Sequence, residues 1–305
     1  MQRVLTRVVG RVREIELVVA ALAADRHVLL EGPPGTGKST LLRAVADELG
    51  LGFEFVEGNA ELTPARLVGH FDPARVLTEG YDPAVFVDGP LVTAMRDGSL
   101  LYVEEINRIP EETLNVLITV MSERELHVPR LGRVTAAAGF RLVAAMNPFD
   151  AIGTARISSA VYDRVCRLSV GYQSAADEAL IVRRALPNLT QEPASIDPVW
   201  LAKVVEVVRS TRTHPDVRIG ASVRGAIDVA AVAASLSSLR GLPADDPLVG
   251  LDAGLVALSG RLRVREGCSR SAEDIVTELW GEVFGPGPDS DGAGKAAAPT
   301  GATKG

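Results

Sequence analysis

Cysteine is almost missing from this chain: Cys166 and Cys268 are two residues among 305. They lie far apart without ligand-like spacing, which excludes a disulfide framework and leaves reduced thiols with packing roles. The four histidines, His27, His70, His127 and His214, are scattered as well. A metal centre built from Cys and His is therefore excluded. Basic residues are outnumbered, with Lys and Arg at 32 against 39 for Asp and Glu, a formal net charge of -7. No basic tract interleaved with aromatics occurs. That balance argues against a general nucleic-acid binder and leaves room only for a local basic groove. Charges interrupt every apolar run well short of the roughly 20 residues a membrane span needs. The opening segment MQRVLTRVVGRVREIE has no secretion-signal core. A cytoplasmic protein is expected. Apolar residues are plentiful at 47%, sufficient for one large domain plus a smaller one.

Along the chain, Val12, Ile15, Val18, Val19 and Leu22 fall at helical spacing. The short apolar run of residues 27–30 reads as a strand, followed by a Gly/Pro-rich turn. Leu41, Leu42, Val45 and Leu49 form a second helical face, and Gly50 suits its stop. Residues 53–56 read as a strand. Residues 58–98, rich in turn formers and weakly periodic, read as an insertion. Residues 100–103 (LLYV) form the next buried strand, and Pro110 opens a helix over 111–122 as a first-turn proline. Residues 125–138 suggest a β-hairpin turning at 129–132. Residues 140–146 and 167–172 read as two further strands. Strands alternating with helices imply a parallel sheet covered on both faces. From Ser174 the pattern is helical only. Ser174 and Asp177 can cap the first helix, and Leu201, Val204, Val205 and Val208 line another. The expected organisation is an α/β domain over 1–173, a helical domain over 174–284 and a disordered tail over 285–305. The tail has too few large apolar groups to offset its ordering entropy.

Residues 32–39, Gly32-Pro33-Pro34-Gly35-Thr36-Gly37-Lys38-Ser39, fit G-x-x-x-x-G-K-[ST] between a predicted strand and a predicted helix. Glycines let the backbone curl so that its N–H groups point at phosphate oxygens. The following helix, in which Thr40 also lies, presents its positive end to the same charge. Lys38 bridges the outer phosphates of ATP, and the Ser39 hydroxyl is placed on Mg²⁺.

The strand LLYV ends in Glu104-Glu105. Alone, such a pair reads as a solvated strand end. Downstream of a phosphate loop, Glu104 lies on the Mg²⁺ side, through bound waters, and Glu105 orients or deprotonates the attacking water. Many such proteins carry Asp first. Glu adds one C–C bond, roughly 1.5 Å of reach, which a water-mediated contact absorbs better than direct ligation. Retained, slow hydrolysis is expected.

The order of motifs, residues 32–39, then Glu104-Glu105-Ile106-Asn107-Arg108, then Met146-Asn147-Pro148, then Tyr162-Asp163-Arg164, then Gly220-Ala221-Ser222-Val223-Arg224, resembles the MoxR family of AAA+ ATPases over nearly the whole chain up to the tail. The resemblance implies an AAA+ P-loop domain with a helix-2 insert at 58–98 and a pre-sensor-1 hairpin at 125–138, followed by a small all-helical lid. Asn147 matches the sensor-1 residue that holds the attacking water. Arg164 matches an arginine finger acting on a neighbouring subunit's ATP, with Arg156 and Arg167 as nearby rivals. Arg224 matches sensor 2. Val9-Gly10-Arg11 falls where adenine is met. Two departures stand out: Glu104 in place of Asp, and Val223 where Pro is common.

A finger acting in trans implies a homo-oligomeric ring, and the resemblance suggests a hexamer. Such proteins remodel or activate a client protein, as chaperones in cofactor or metal insertion or in complex assembly. They commonly work with a partner carrying a von Willebrand factor A (VWA) domain. Two alternatives stay open on the residues: a nucleic-acid-associated motor subunit, and an ATP-dependent ring scaffold with little hydrolysis, the latter because of Glu104.

Overall fold

The computed structural model describes residues 2–148, 158–188 and 196–285. These group into two compact units, Met1–Gln173 and Ser174–Gly305. The expected tail lies outside the described residues from 286 onward, as does Arg156.

The strands in chain order are β1 (His27–Glu31), β2 (Phe53–Glu57), β3 (Gly69–Phe71), β4 (Phe86–Asp88), β5 (Leu100–Glu104), β6 (Glu125–Val128), β7 (Gly132–Thr135), β8 (Arg141–Met146), β9 (Val165–Ser169), β10 (Val217–Ile219) and β11 (Arg263–Val264). Five of them form one sheet in the order β2-β5-β8-β1-β9, and every pairing in it is parallel. Parallel strands need both faces covered, and alternate side chains divide accordingly. Val28, Leu30, Leu100, Tyr102, Val143 and Ala145 pack with the helices Val12–Ala23 and Lys38–Leu49. Leu29, Leu101, Val103, Leu142 and Ala144 pack on the opposite side with Pro90–Asp97 and Glu111–Glu123. This explains why β1, β5 and β8 read as continuous apolar runs. The helix Lys38–Leu49 ends at Gly50, whose φ of 64° is the left-handed stop its position suggested.

Several boundaries differ from the sequence reading. The last strand is Val165–Ser169 rather than 167–172, because its register starts with Val165 opposite His27 and β1 ends at Glu31. Pro110 is the residue before the helix Glu111–Glu123, not within its first turn; its ψ of 146° is extended. The insertion is more ordered than its weak periodicity implies. It holds the helices Pro64–Val68, Pro73–Glu79 and Pro90–Asp97 and the antiparallel β3–β4 pair. Each of these helices starts on a proline, after Thr63, Asp72 and Gly89 respectively. The hairpin is β6–β7, antiparallel, with Val128 opposite Gly132. Cys166 is exposed on β9, so packing does not require it; both cysteines are free thiols.

The second unit contains the helices Ala175–Ala185, Pro198–Ser210, Val223–Arg240, Pro247–Leu258 and Ala272–Phe284. It is not wholly helical: β10 and β11 pair antiparallel. Strands of three and two residues are too short to carry a period. Ser174 caps its helix by accepting from the Asp177 N–H at 3.1 Å. One charge is built into this core. Glu178, with its side chain 1% exposed, is held by Arg212 at 2.7 Å and Arg209 at 3.4 Å. Glu178→Ala removes the carboxylate that neutralises the mostly buried Arg212, and about 3 kcal/mol of this unit's stability should be lost. Chemical denaturation followed by the fluorescence of Trp200 and Trp280, both in this core, measures it. No helix among the described residues is long and apolar enough to cross a membrane.

Candidate active site

The loop after β1 is shaped by close approach. A Cβ at Gly32 would lie 2.0 Å from the Val170 carbonyl oxygen, so only glycine fits where the loop leaves the sheet. Gly37, at φ 80°, immediately precedes the helix Lys38–Leu49. Thr36 Oγ1 donates to the Pro33 carbonyl at 3.0 Å. Lys38 is 7% exposed. Its Nζ donates to the carbonyls of Gly32 and Pro33, both at 2.9 Å, so the ammonium lies across the mouth of the loop. Ser39 and Thr40 follow in the first turn of the helix.

Arg11 braces this loop from outside. It is 3% exposed, donates to the carbonyls of Thr36 at 3.0 Å and Gly171 at 2.6 Å, and pairs with Glu14 at 2.8 Å. Val9 and Gly10 are thereby carried to the loop's side, and the Val9 carbonyl accepts from Gln173 at 3.1 Å. Sequence reasoning placed the segment but not the brace, because a lone arginine in a helical N-terminus gives no local signal.

β5 brings the two glutamates to the same end of the sheet. Ser39 Oγ donates to the Glu104 carboxylate, 3.3 Å from Oε1 and 3.2 Å from Oε2. Two hard oxygen donors converge here, a set that suits Mg²⁺ with waters and phosphate oxygens completing the shell. Among the described residues there is no cluster of three or more His, Cys, Asp or Glu that could hold a metal unaided. Glu105 leaves the strand in the left-handed region at φ 53°, uncommon for a residue with a side chain. Its carboxylate meets Arg108 at 3.0 Å. The Gly58 N–H donates to the Glu104 carbonyl at 2.7 Å. A Cβ at Gly58 would lie 2.3 Å from the Glu105 carbonyl oxygen, so the glycine lets β2 close against this corner. Asn147 follows β8 directly, and the Gly32 N–H donates to the Met146 carbonyl at 3.1 Å. Loop, glutamates and Asn147 therefore meet at one end of the sheet.

Arg164 does not join them. It precedes β9, where Val165 stands opposite His27. At about 3.3 Å per strand residue it is roughly 20 Å from the loop's start along β1, beyond an arginine's reach. Its guanidinium donates to Ser122 Oγ and, at 2.8 Å, to the Ala160 carbonyl. It lines a cavity of about 490 Å³ together with Arg26, Arg124 and Cys166. Arg167 belongs to the loop's own end. It pairs with the buried Glu31 at 2.5 Å, and Tyr162 donates to the same carboxylate at 2.8 Å. This Glu31 cluster escaped sequence reading because β1 and β9 meet only in the folded sheet. Arg224 is exposed in the first turn of Val223–Arg240 in the second unit, with Ser222 as N-cap and Val223 as the first helical residue.

A parallel sheet in this order, with a phosphate loop after β1 and acids at the end of β5, defines the AAA+ P-loop class. Residues 27–165 match the family model described as AAA domain (dynein-related subfamily). The chain is 31% identical over 245 residues to the uncharacterized protein YeaC of Bacillus subtilis, covering 73% of each. It is 34% identical over 155 residues to the uncharacterized protein SERP0979 of Staphylococcus epidermidis, spanning 50% of this chain and 58% of that protein. The chain belongs to the AAA+ ATPase family. Among solved structures, a Cytophaga hutchinsonii protein to which ATPase activity is ascribed aligns over 91% of both chains with TM-score 0.51 and 20% identity. The Holliday junction branch migration motor RuvB of Thermotoga maritima aligns over 81% of this chain and 70% of its own, with TM-score 0.56 and 18% identity. At such identities the likeness is one of fold.

Proposed function

We propose that this protein is a MoxR-like ATPase that binds and hydrolyses ATP in a homo-oligomeric ring, a hexamer, and uses the cycle to remodel or activate a client protein. The observation that carries this reading is the meeting of Lys38, Ser39, Glu104, Glu105 and Asn147 at one end of the sheet while Arg164 lies at the other. Lys38 and the loop N–H groups hold the phosphates. Ser39 and Glu104 are the residues that would hold Mg²⁺, which supplies neutralisation of phosphate charge. Glu105 takes the proton of the attacking water, and Asn147 orients that water. Arg164 completes the site of the adjacent subunit, and Arg224 serves as the lid's phosphate sensor. Val9 and Gly10 flank the base.

Work on a client needs a surface that can report the nucleotide state. The insertion exposes Leu77 at 88% and Tyr81 at 49%. Arg130, at the hairpin tip, stacks its guanidinium 3.9 Å from the Tyr81 ring centre, so hairpin and insertion touch on this surface. A VWA-domain protein is the partner that the motif resemblance favours.

Glu105→Gln tests the reading. The amide keeps the shape and cannot accept the proton, so nucleotide binding should persist while turnover falls about 10²–10⁴-fold. ATP-analogue titration and phosphate release measure the two. Turnover equal to wild type removes Glu105 from the chemistry. Affinity capture with the variant in ATP identifies the client.

A further inference from the structure

Tyr102 stands two residues before Glu104, and strand alternation puts both on the face of the sheet toward the phosphate-loop helix. Tyr102 is fully buried, and its ring lies 5.8 Å from that of Phe53 and 5.7 Å from that of Phe55. A buried phenol needs a partner for its hydroxyl. This one lies 3.2 Å from Ser39 Oγ, whose own proton goes to the Glu104 carboxylate, so the phenol donates to Ser39. Tyr102, Ser39 and Glu104 thus form a relay of hydroxyl, hydroxyl and carboxylate at the corner where the loop helix meets β5.

A glutamate has one more rotatable bond than an aspartate. Without a tether its carboxylate swings through positions that an aspartate cannot reach. We propose that Tyr102 is a positioning residue for the metal-side carboxylate: its buried hydroxyl holds Ser39, and Ser39 in turn fixes Glu104 in one place and adapts the site to the longer acid. This rests on reading Ser39 and Glu104 as the metal side of a nucleotide site. Tyr102 touches neither substrate nor metal; it acts through Ser39 on Glu104.

The test is Tyr102→Phe, which keeps the ring and its packing and removes one oxygen; a thermal melt checks the fold. Binding of a fluorescent ATP analogue is titrated against Mg²⁺. At saturating Mg²⁺ the affinity should stay within about twofold, while the Mg²⁺ concentration for half-maximal binding rises about tenfold, the scale of one hydrogen bond. The same change is then made in a Glu104→Asp background, where the carboxylate is drawn back by about 1.5 Å. There Tyr102→Phe should move the Mg²⁺ midpoint less than about twofold, because the carboxylate has already drawn away from Ser39 and the hydroxyl no longer acts on it. Equal Mg²⁺ midpoints for wild type and Tyr102→Phe overturn the proposal, and so does the same shift in both backgrounds, which marks a packing role. Failure of the site reading looks different: the unmodified protein would show no Mg²⁺-dependent nucleotide binding at all.

Discussion

Lys38→Ala should abolish ATP binding. The Lys38 ammonium is 7% exposed and anchored over the loop by the carbonyls of Gly32 and Pro33. Nothing else on the loop carries a positive side-chain charge, since its other positions are Gly, Pro, Thr and Ser. The outer phosphates would then face backbone N–H groups and the helix end alone. Two charge-assisted hydrogen bonds, each worth about 1.5–3 kcal/mol, correspond to a loss of roughly 10²–10⁴-fold in affinity. Titration of a fluorescent ATP analogue measures this. A melting temperature close to wild type separates lost binding from a lost fold, because Arg11 still braces the Thr36 carbonyl. Unchanged affinity in Lys38→Ala would sink the assignment of residues 32–39 as the phosphate site, and with it the roles given to Ser39 and Glu104.

The parts of this molecule that could be read from sequence are those whose signals are local. The glycines of the loop, the apolar runs of β1, β5 and β8 and the cap at Ser174 each lie within a few residues of what they shape. The last strand lies at Val165–Ser169 rather than 167–172 because its register depends on β1, which no local pattern in this stretch reveals. Arg11 on Gly171 and Arg167 on Glu31 join residues 160 and 136 positions apart, and no spacing rule spans such separations. Tyr102 is a different case. It looked like one more apolar strand residue, yet the i, i+2 relation to Glu104 was present in the sequence. What could not be read was that the phosphate-loop helix packs on that face and brings Ser39 to both oxygens.

Arg164 offers the sharpest test of the ring, because its place in the sheet separates two mechanisms. A finger serving its own subunit would have to lie where Arg167 does, beside Glu31 at the loop end. Arg164 lies at the opposite end, in a cavity lined also by Arg26 and Arg124. Arg164→Ala should therefore leave nucleotide binding intact and lower turnover by about 10³–10⁵-fold, the scale of an arginine finger. Arg164→Ala subunits keep their loops and Lys38→Ala subunits keep their fingers, so neither is active alone. Mixed in equal amounts, about a quarter of the head-to-tail interfaces join an intact loop to an intact finger. Turnover should then return to a corresponding fraction of wild type. No recovery, in mixtures shown by native mass spectrometry to form mixed rings, rejects action in trans. The same mixture made with Arg167→Ala in place of Arg164→Ala should not recover: that change strips the ion pair from the buried Glu31 beside the subunit's own phosphate loop, and a neighbour's arginine cannot replace it.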